Sequence, residues 1–172
     1  MNLHPIFVHF PVALFTVYAV MELIPSRKLR AHISWFFVKA AFILIGIASS
    51  SAAYLTGTLI EEEFEQDKVY GPIVEMHSFF AGMTIAVFAV IALAYLILFL
   101  QKSSLQSRLL TWQPWQRISS LVLRIYASRT ILPLLALIGL GCVTVTGALG
   151  GSIVYGESAD PLVGIIYRVL GL

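Results

Sequence analysis

Four long apolar runs constrain this chain more than any other feature. They lie near residues 6–24, 33–56, 73–100 and 130–150. Each has about the 20 residues that a helix needs to cross the hydrocarbon core of a bilayer. The runs are continuous rather than alternating, which fits helices and argues against a membrane β-barrel. Composition agrees: 59% of the chain is hydrophobic and 12% is charged, with a mean hydropathy of +0.89. That is about half the charge of a soluble domain. The reading is an all-α integral membrane protein with a single membrane domain over residues 1–172, a bundle of four transmembrane helices. The first run is not read as a cleavable signal, because no positive residues precede it and no small-residue cleavage site follows.

Charge sets the expected orientation. Arg27, Lys28, Arg30, Lys39, Lys102, Arg108, Arg117, Arg124 and Arg129 fall on one side, nine of the eleven Lys and Arg. Glu61, Glu62, Glu63, Glu65, Asp67, Glu75, Glu157 and Asp160, eight of the nine acids, fall on the other. The positive-inside rule then predicts a multi-pass protein of a bacterial cytoplasmic membrane, with both termini and the acidic 57–72 loop outside. Residues 112–128 carry Ile118, Leu121, Val122 and Ile125 on one helical face and Arg117 and Arg124 on the other. With Trp112 and Trp115 nearby, this segment reads as a helix lying in the cytoplasmic interface. The apolar C-terminal segment, 157–172, is too short to span and is expected on the outer face or docked on a partner.

Several chemistries are missing. Cys142 is the only cysteine, so no intramolecular disulfide forms, and no C-x-x-C-H run attaches a c-type haem. No phosphate loop, zinc-protease helix or nucleophile elbow occurs. The basic residues sit beside apolar spans and belong to the membrane surface, not to nucleic acid.

The histidines are the candidate site. The chain has four: His4, His9, His32 and His77. His9 and His77 each lie about 5–6 Å inside a span that runs in the same direction, counting 1.5 Å per residue. Ionisable side chains in spans are costly and default to a functional hypothesis, and imidazole is a common haem ligand. Shared ligation of a haem b iron by His9 and His77 is therefore weighed evenly against two ordinary helix–helix hydrogen bonds. That reading expects helices one and three to be adjacent at this level. His4 has three readings: surface residue, alternative ligand, or partner for a haem propionate. His32 lies at the opposite mouth with no second histidine at its level and is read as non-functional.

A weak internal repeat supports the pairing. His9 with Thr56-Gly57 matches His77 with Thr146-Gly147. Two helix pairs would then be related by an axis along the membrane normal. Thr144, Thr146 and Gly147 are added as cofactor-binding candidates, since threonine hydroxyls can donate to a propionate and glycine lets a backbone approach a flat macrocycle. The threonines can equally bond back to their own helix.

The opening His4-Pro5-x-x-Val8-His9-Phe10-Pro11, together with Thr146-Gly147-Ala148-Leu149-Gly150-Gly151 and Val154-Tyr155-Gly156, resembles the domain-of-unknown-function family 2231. These are small four-helix bacterial membrane proteins, and the resemblance covers nearly the whole chain. It implies the four-helix fold and, because some relatives are joined to c-type cytochrome domains, redox surroundings. Members often carry a histidine just after the Val-Tyr pair, whereas residues 156–160 here contain none.

The expected function is a haem b protein that relays electrons near the outer membrane face inside a larger redox complex. A c-type cytochrome is a possible partner, steered by the acidic loop. The rival reading is a non-catalytic accessory subunit of a respiratory or photosynthetic complex, with structural histidines or one that ligates chlorophyll. A small transporter is a third reading. The sequence argues against it, because it lacks a broken helix with paired intramembrane charges.

Overall fold

The computed structural model describes residues 4–26, 28–29, 32–61, 70–101, 113–128, 130–156, 158 and 161–172. These form six helices: α1 (His4–Leu23), α2 (Ile33–Glu61), α3 (Gly71–Gln101), α4 (Gln113–Ala127), α5 (Ile131–Tyr155) and α6 (Pro161–Leu170). Four of them, α1, α2, α3 and α5, are long and apolar enough to cross a membrane. Their outward surface suits lipid rather than water: Phe10, Leu55, Leu59 and Leu134 are each more than half exposed. The acidic stretch 62–69, the basic stretch 102–112 and Glu157 and Asp160 lie outside the described residues.

Local chemistry sets the ends of α5. The Ser128 hydroxyl accepts the backbone N–H groups of Thr130 at 3.3 Å and Ile131 at 3.1 Å, capping its start. Gly156 stops it at φ +85°, where a side chain would be strained, and its N–H bonds the Ser152 carbonyl at 2.8 Å.

The long helices alternate in direction and form a ring of contacts. α1 packs on α2 and α5, and α3 packs on α5 and α2. α1 and α3 are therefore diagonal, not adjacent, contrary to the sequence expectation. They meet through large side chains in the centre. Phe15 and Phe88 stack with ring centroids 4.1 Å apart and planes 9° apart, and Tyr18 meets Phe88 and Tyr95 edge-on. These four residues anchor the main core with Ile43, Ile91, Leu132 and Ala136.

The two short helices close the ends. α4 buries Ser119 and Val122 and places Trp115 against Ala94 and Ile97 of α3. Ile118 and Leu121 stay exposed beside it, as do Arg117 and Arg124. One edge of α4 thus faces protein, one is apolar and open, and one is charged, which fits an interfacial position. α6 folds back on α5 at the opposite end. Val163 and Ile166 pack with Ile73, Ala148 and Leu149, and the Tyr167 hydroxyl donates to Ser152 Oγ at 3.2 Å.

Candidate functional site

The structure does not bring His9 and His77 together. His9 is exposed, and its Nδ1–H donates back to the Pro5 carbonyl of its own helix. His77 is half-buried and turns towards α5, where its Nδ1 lies 3.0 Å from the Thr146 carbonyl oxygen. The histidine that answers His77 is His4. It too is half-buried and turned inward, with Nδ1 3.0 Å from Thr56 Oγ1 of α2 and within reach of the Ala53 backbone.

The two sites match in detail. A Cβ added at Gly57 would lie 3.0 Å from His4 Cε1, and one added at Gly150 would lie 3.0 Å from His77 Cε1. Each imidazole thus lies over a glycine of the next long helix, α2 for His4 and α5 for His77. The same pattern recurs eleven residues deeper. Gly46 faces Phe15, with a hypothetical Cβ at 2.6 Å, and Gly139 faces Phe88 at 2.7 Å.

These pairs reveal the register of the internal repeat. A shift of 73 positions carries His4 onto His77 and Phe15 onto Phe88. It carries the buried residues of α1 (Pro11, Phe15, Tyr18, Ala19, Glu22) onto Thr84, Phe88, Ile91, Ala92 and Tyr95, all buried in α3. A shift of 93 carries Gly46, Ser50, Ala53 and Gly57 of α2 onto Gly139, Val143, Thr146 and Gly150 of α5. The expected register, with His9 against His77 and Thr56-Gly57 against Thr146-Gly147, is therefore replaced. His9 falls instead on Gly82, which lines an open, mostly apolar groove of about 340 Å³ with Ser51, Tyr54, Leu55 and Ile85.

Depth and rotation put His4 and His77 on matching faces of their helices at one level. Eleven residues are about three helical turns and about 16 Å of rise. His4 thus shares a helix face with Phe15, and His77 with Phe88. Those two rings stack on each other, so both imidazoles lie on the inward faces of diagonal helices at one level. His9 is five residues from His4, about 1.4 turns, and so points elsewhere.

Hydrogen bonds through Nδ1 orient both imidazoles. A carbonyl only accepts, so His77 Nδ1 carries the hydrogen that goes to Thr146. The Thr56 hydroxyl donates to the carbonyls of Ala52 and Ala53 at 3.1 and 2.9 Å, so it accepts from His4 Nδ1–H. In the neutral His77 ring the lone pair is then on Nε2, the atom that binds iron in a ring oriented by its other nitrogen.

The other sequence candidates do less. The Thr144 and Thr146 hydroxyls bond back to Leu140 and Cys142 carbonyls at 2.7 and 2.8 Å. It is the backbone of Thr146, not its hydroxyl, that orients His77. Gly147 faces open space, while Gly150 serves the site. His32 is exposed.

At the other end lies a buried charged pair. Lys39 Nζ bonds Glu22 Oε2 at 2.6 Å, with the two side chains only 6% and 4% exposed. The Tyr18 hydroxyl donates to the same oxygen at 3.4 Å. By sequence alone Lys39 reads as a topology signal and Glu22 as the odd acid. The expectation of no paired charges within the spans is thus corrected.

Among the described residues no three His, Cys, Asp or Glu side chains gather as a metal site, though a haem iron asks for only two imidazoles. Compared with protein-family models, with curated proteins and with solved structures, the chain has no match.

Proposed function

We propose that this chain is a membrane electron-transfer protein holding haem b between His4 and His77. In this reading α1, α2, α3 and α5 form a four-transmembrane-helix bundle of two parallel-related pairs. The bundle sits in a bacterial cytoplasmic membrane with both termini on the outer side, as the charge asymmetry requires. The observation that carries the reading is the matched pair: two inward imidazoles at one level, each held by its Nδ1 and each lying on a glycine. Orientation of the non-ligating nitrogen by a backbone or hydroxyl oxygen is what a ligating imidazole needs. The glycines let each imidazole lie directly against the neighbouring helix.

The same structure argues for a relay at one face rather than across the bilayer. Below the histidines the axis is filled by Phe15 and Phe88, both essentially unexposed. His32 is exposed. Electrons would enter and leave near the His4 end, so a partner is needed. Other subunits of a redox complex, or a c-type cytochrome drawn to the acidic residues around 61–67, fit that need.

The test is a reduced-minus-oxidised spectrum of the purified chain. Six-coordinate bis-histidine iron gives sharp reduced bands and little reaction with carbon monoxide. Protein that purifies without haem, and takes up none when haem is supplied, overturns the proposal.

A further inference from the structure

The arginines of α4 have no carboxylate to pair with on the helices around them. From residue 76 to residue 156 the chain holds no Asp or Glu, so α4, α5 and most of α3 carry none. Before Glu61 it holds only Glu22, which is buried against Lys39 at 2.6 Å. α3 and α5 pack on α4, and α2 reaches its Tyr126 through Phe36. Arg117 and Arg124 are exposed, and among the described residues neither has a carboxylate partner. The helices around α4 therefore supply these two cations with no counter-charge.

Their position on α4 suits one kind of anion. A spacing of seven residues puts them about two turns and about 10 Å apart on one face. Leu121 lies between them, one turn from each, and is 59% exposed. With Ile118 it forms the open apolar edge of α4, while Ser119 and Val122 face protein. The Ser120 hydroxyl beside the arginines donates to the Arg117 carbonyl at 2.8 Å. The two guanidiniums are the charged groups of this face, and their planar forks match the paired oxygens of a phosphate. α6, at the opposite end, also has an open apolar edge in Leu162, Ile165 and Val169. Its one arginine, Arg168, donates through Nε–H to the Gly164 carbonyl at 3.0 Å. A ligand that fits α4 carries an anionic phosphate and an apolar chain side by side, which is the build of an anionic phospholipid.

We infer that Arg117 and Arg124 form a binding site for the phosphate headgroups of anionic phospholipids, whose acyl chains lie against Ile118 and Leu121. A zwitterionic lipid offers the same phosphate, but its own cation sits beside it and cancels most of the attraction at this distance. The site is therefore selective for net negative lipid. It rests on the four long helices spanning a bilayer, and it uses none of the histidines or their partners.

Photo-crosslinking of the full chain in lipid vesicles tests this without reference to haem. Phosphatidylglycerol and phosphatidylcholine, each with a diazirine on one acyl chain, are supplied at the same mole fraction, and the labelled residues are located by peptide mass spectrometry. Labelling of α4 is read relative to the exposed Leu93 and Leu96 of α3, a helix without Lys or Arg. The expected result is about a twofold or larger preference for phosphatidylglycerol at α4 in the wild type. Arg117→Gln combined with Arg124→Gln should abolish it, and Arg124→Gln alone should remove part of it. Both side chains are exposed, so unchanged labelling of α3 is expected in each variant. The inference is overturned if wild-type α4 takes both lipids equally, or if the preference outlasts the double replacement. It is also overturned if neither lipid labels α4, since that face is then covered by protein or open to water.

Discussion

Gly46→Ala should weaken the protein although alanine is the better helix former. Helix propensity alone favours the change by up to about 1 kcal/mol. The new Cβ, however, would stand 2.6 Å from Phe15 Cε1 and 2.8 Å from Cδ1, where ordinary carbon contacts are about 3.5–4.0 Å. The ring must retreat by roughly 1 Å. It cannot do so freely, because Phe15 stacks on Phe88 at 4.1 Å and Phe88 lies in turn on Gly139. Glycine, ring, ring and glycine form one continuous stack from α2 to α5. Overpacking of this kind costs about 1–3 kcal/mol, so the net loss is up to about 2 kcal/mol after the propensity gain. Gly82→Ala is the control: nothing lies within 4 Å of its Cβ position, and it should be neutral or slightly stabilising. Reversible unfolding in mixed detergent micelles measures both. Phe15→Leu, in the Gly46→Ala background, should recover part of the loss, and the two changes should be non-additive. Equal stability of Gly46→Ala and Gly82→Ala, or strict additivity with Phe15→Leu, would refute the stacking argument.

Three further outcomes are expected. Lys39→Leu alone leaves the Glu22 carboxylate buried without its partner and should lose about 3–5 kcal/mol in the same unfolding assay, whereas the Glu22→Tyr, Lys39→Leu combination should lose far less. Tyr167→Phe removes the bond to Ser152 and should cost about 1 kcal/mol, visible as faster hydrogen exchange confined to α6. Single cysteines placed at Glu62 and at Ser104, in a Cys142→Ala background, should label from opposite sides of intact cells; labelling from one side would contradict the proposed topology.

Hydropathy gave the spans well. The expected runs at 33–56 and 73–100 became α2 and α3 with ends moved by a few residues, because uninterrupted apolar sequence of that length has few alternatives. The amphipathic 112–128 segment likewise became α4, whose half-protein, half-open surface follows from its apolar and arginine faces. Rotation about a helix axis was harder to read. His4 and His9 lie at similar depths, and counting residues inward does not say which faces the core. The spacing His4…Phe15 with Gly46…Gly57, repeated as His77…Phe88 with Gly139…Gly150, was present in the sequence and fixes that rotation. The shorter Thr56-Gly57 and Thr146-Gly147 match points to a register that the packing does not follow. The Glu22–Lys39 contact joins residues seventeen apart across a turn, and each carried a plausible local meaning as a surface charge. Nothing short of the packing of α1 on α2 shows that both turn inward.

The central claim is that His4 and His77, and not His9, form the site. Three single variants, His4→Ala, His77→Ala and His9→Ala, should be purified alongside the wild type and compared by reduced-minus-oxidised spectra at equal protein concentration. The expected result is a low-spin haem b spectrum in the wild type and in His9→Ala, and its loss or conversion to a high-spin, carbon monoxide-reactive form in His4→Ala and His77→Ala. A spectrum that survives both inward replacements, or that vanishes with His9→Ala alone, would contradict the account.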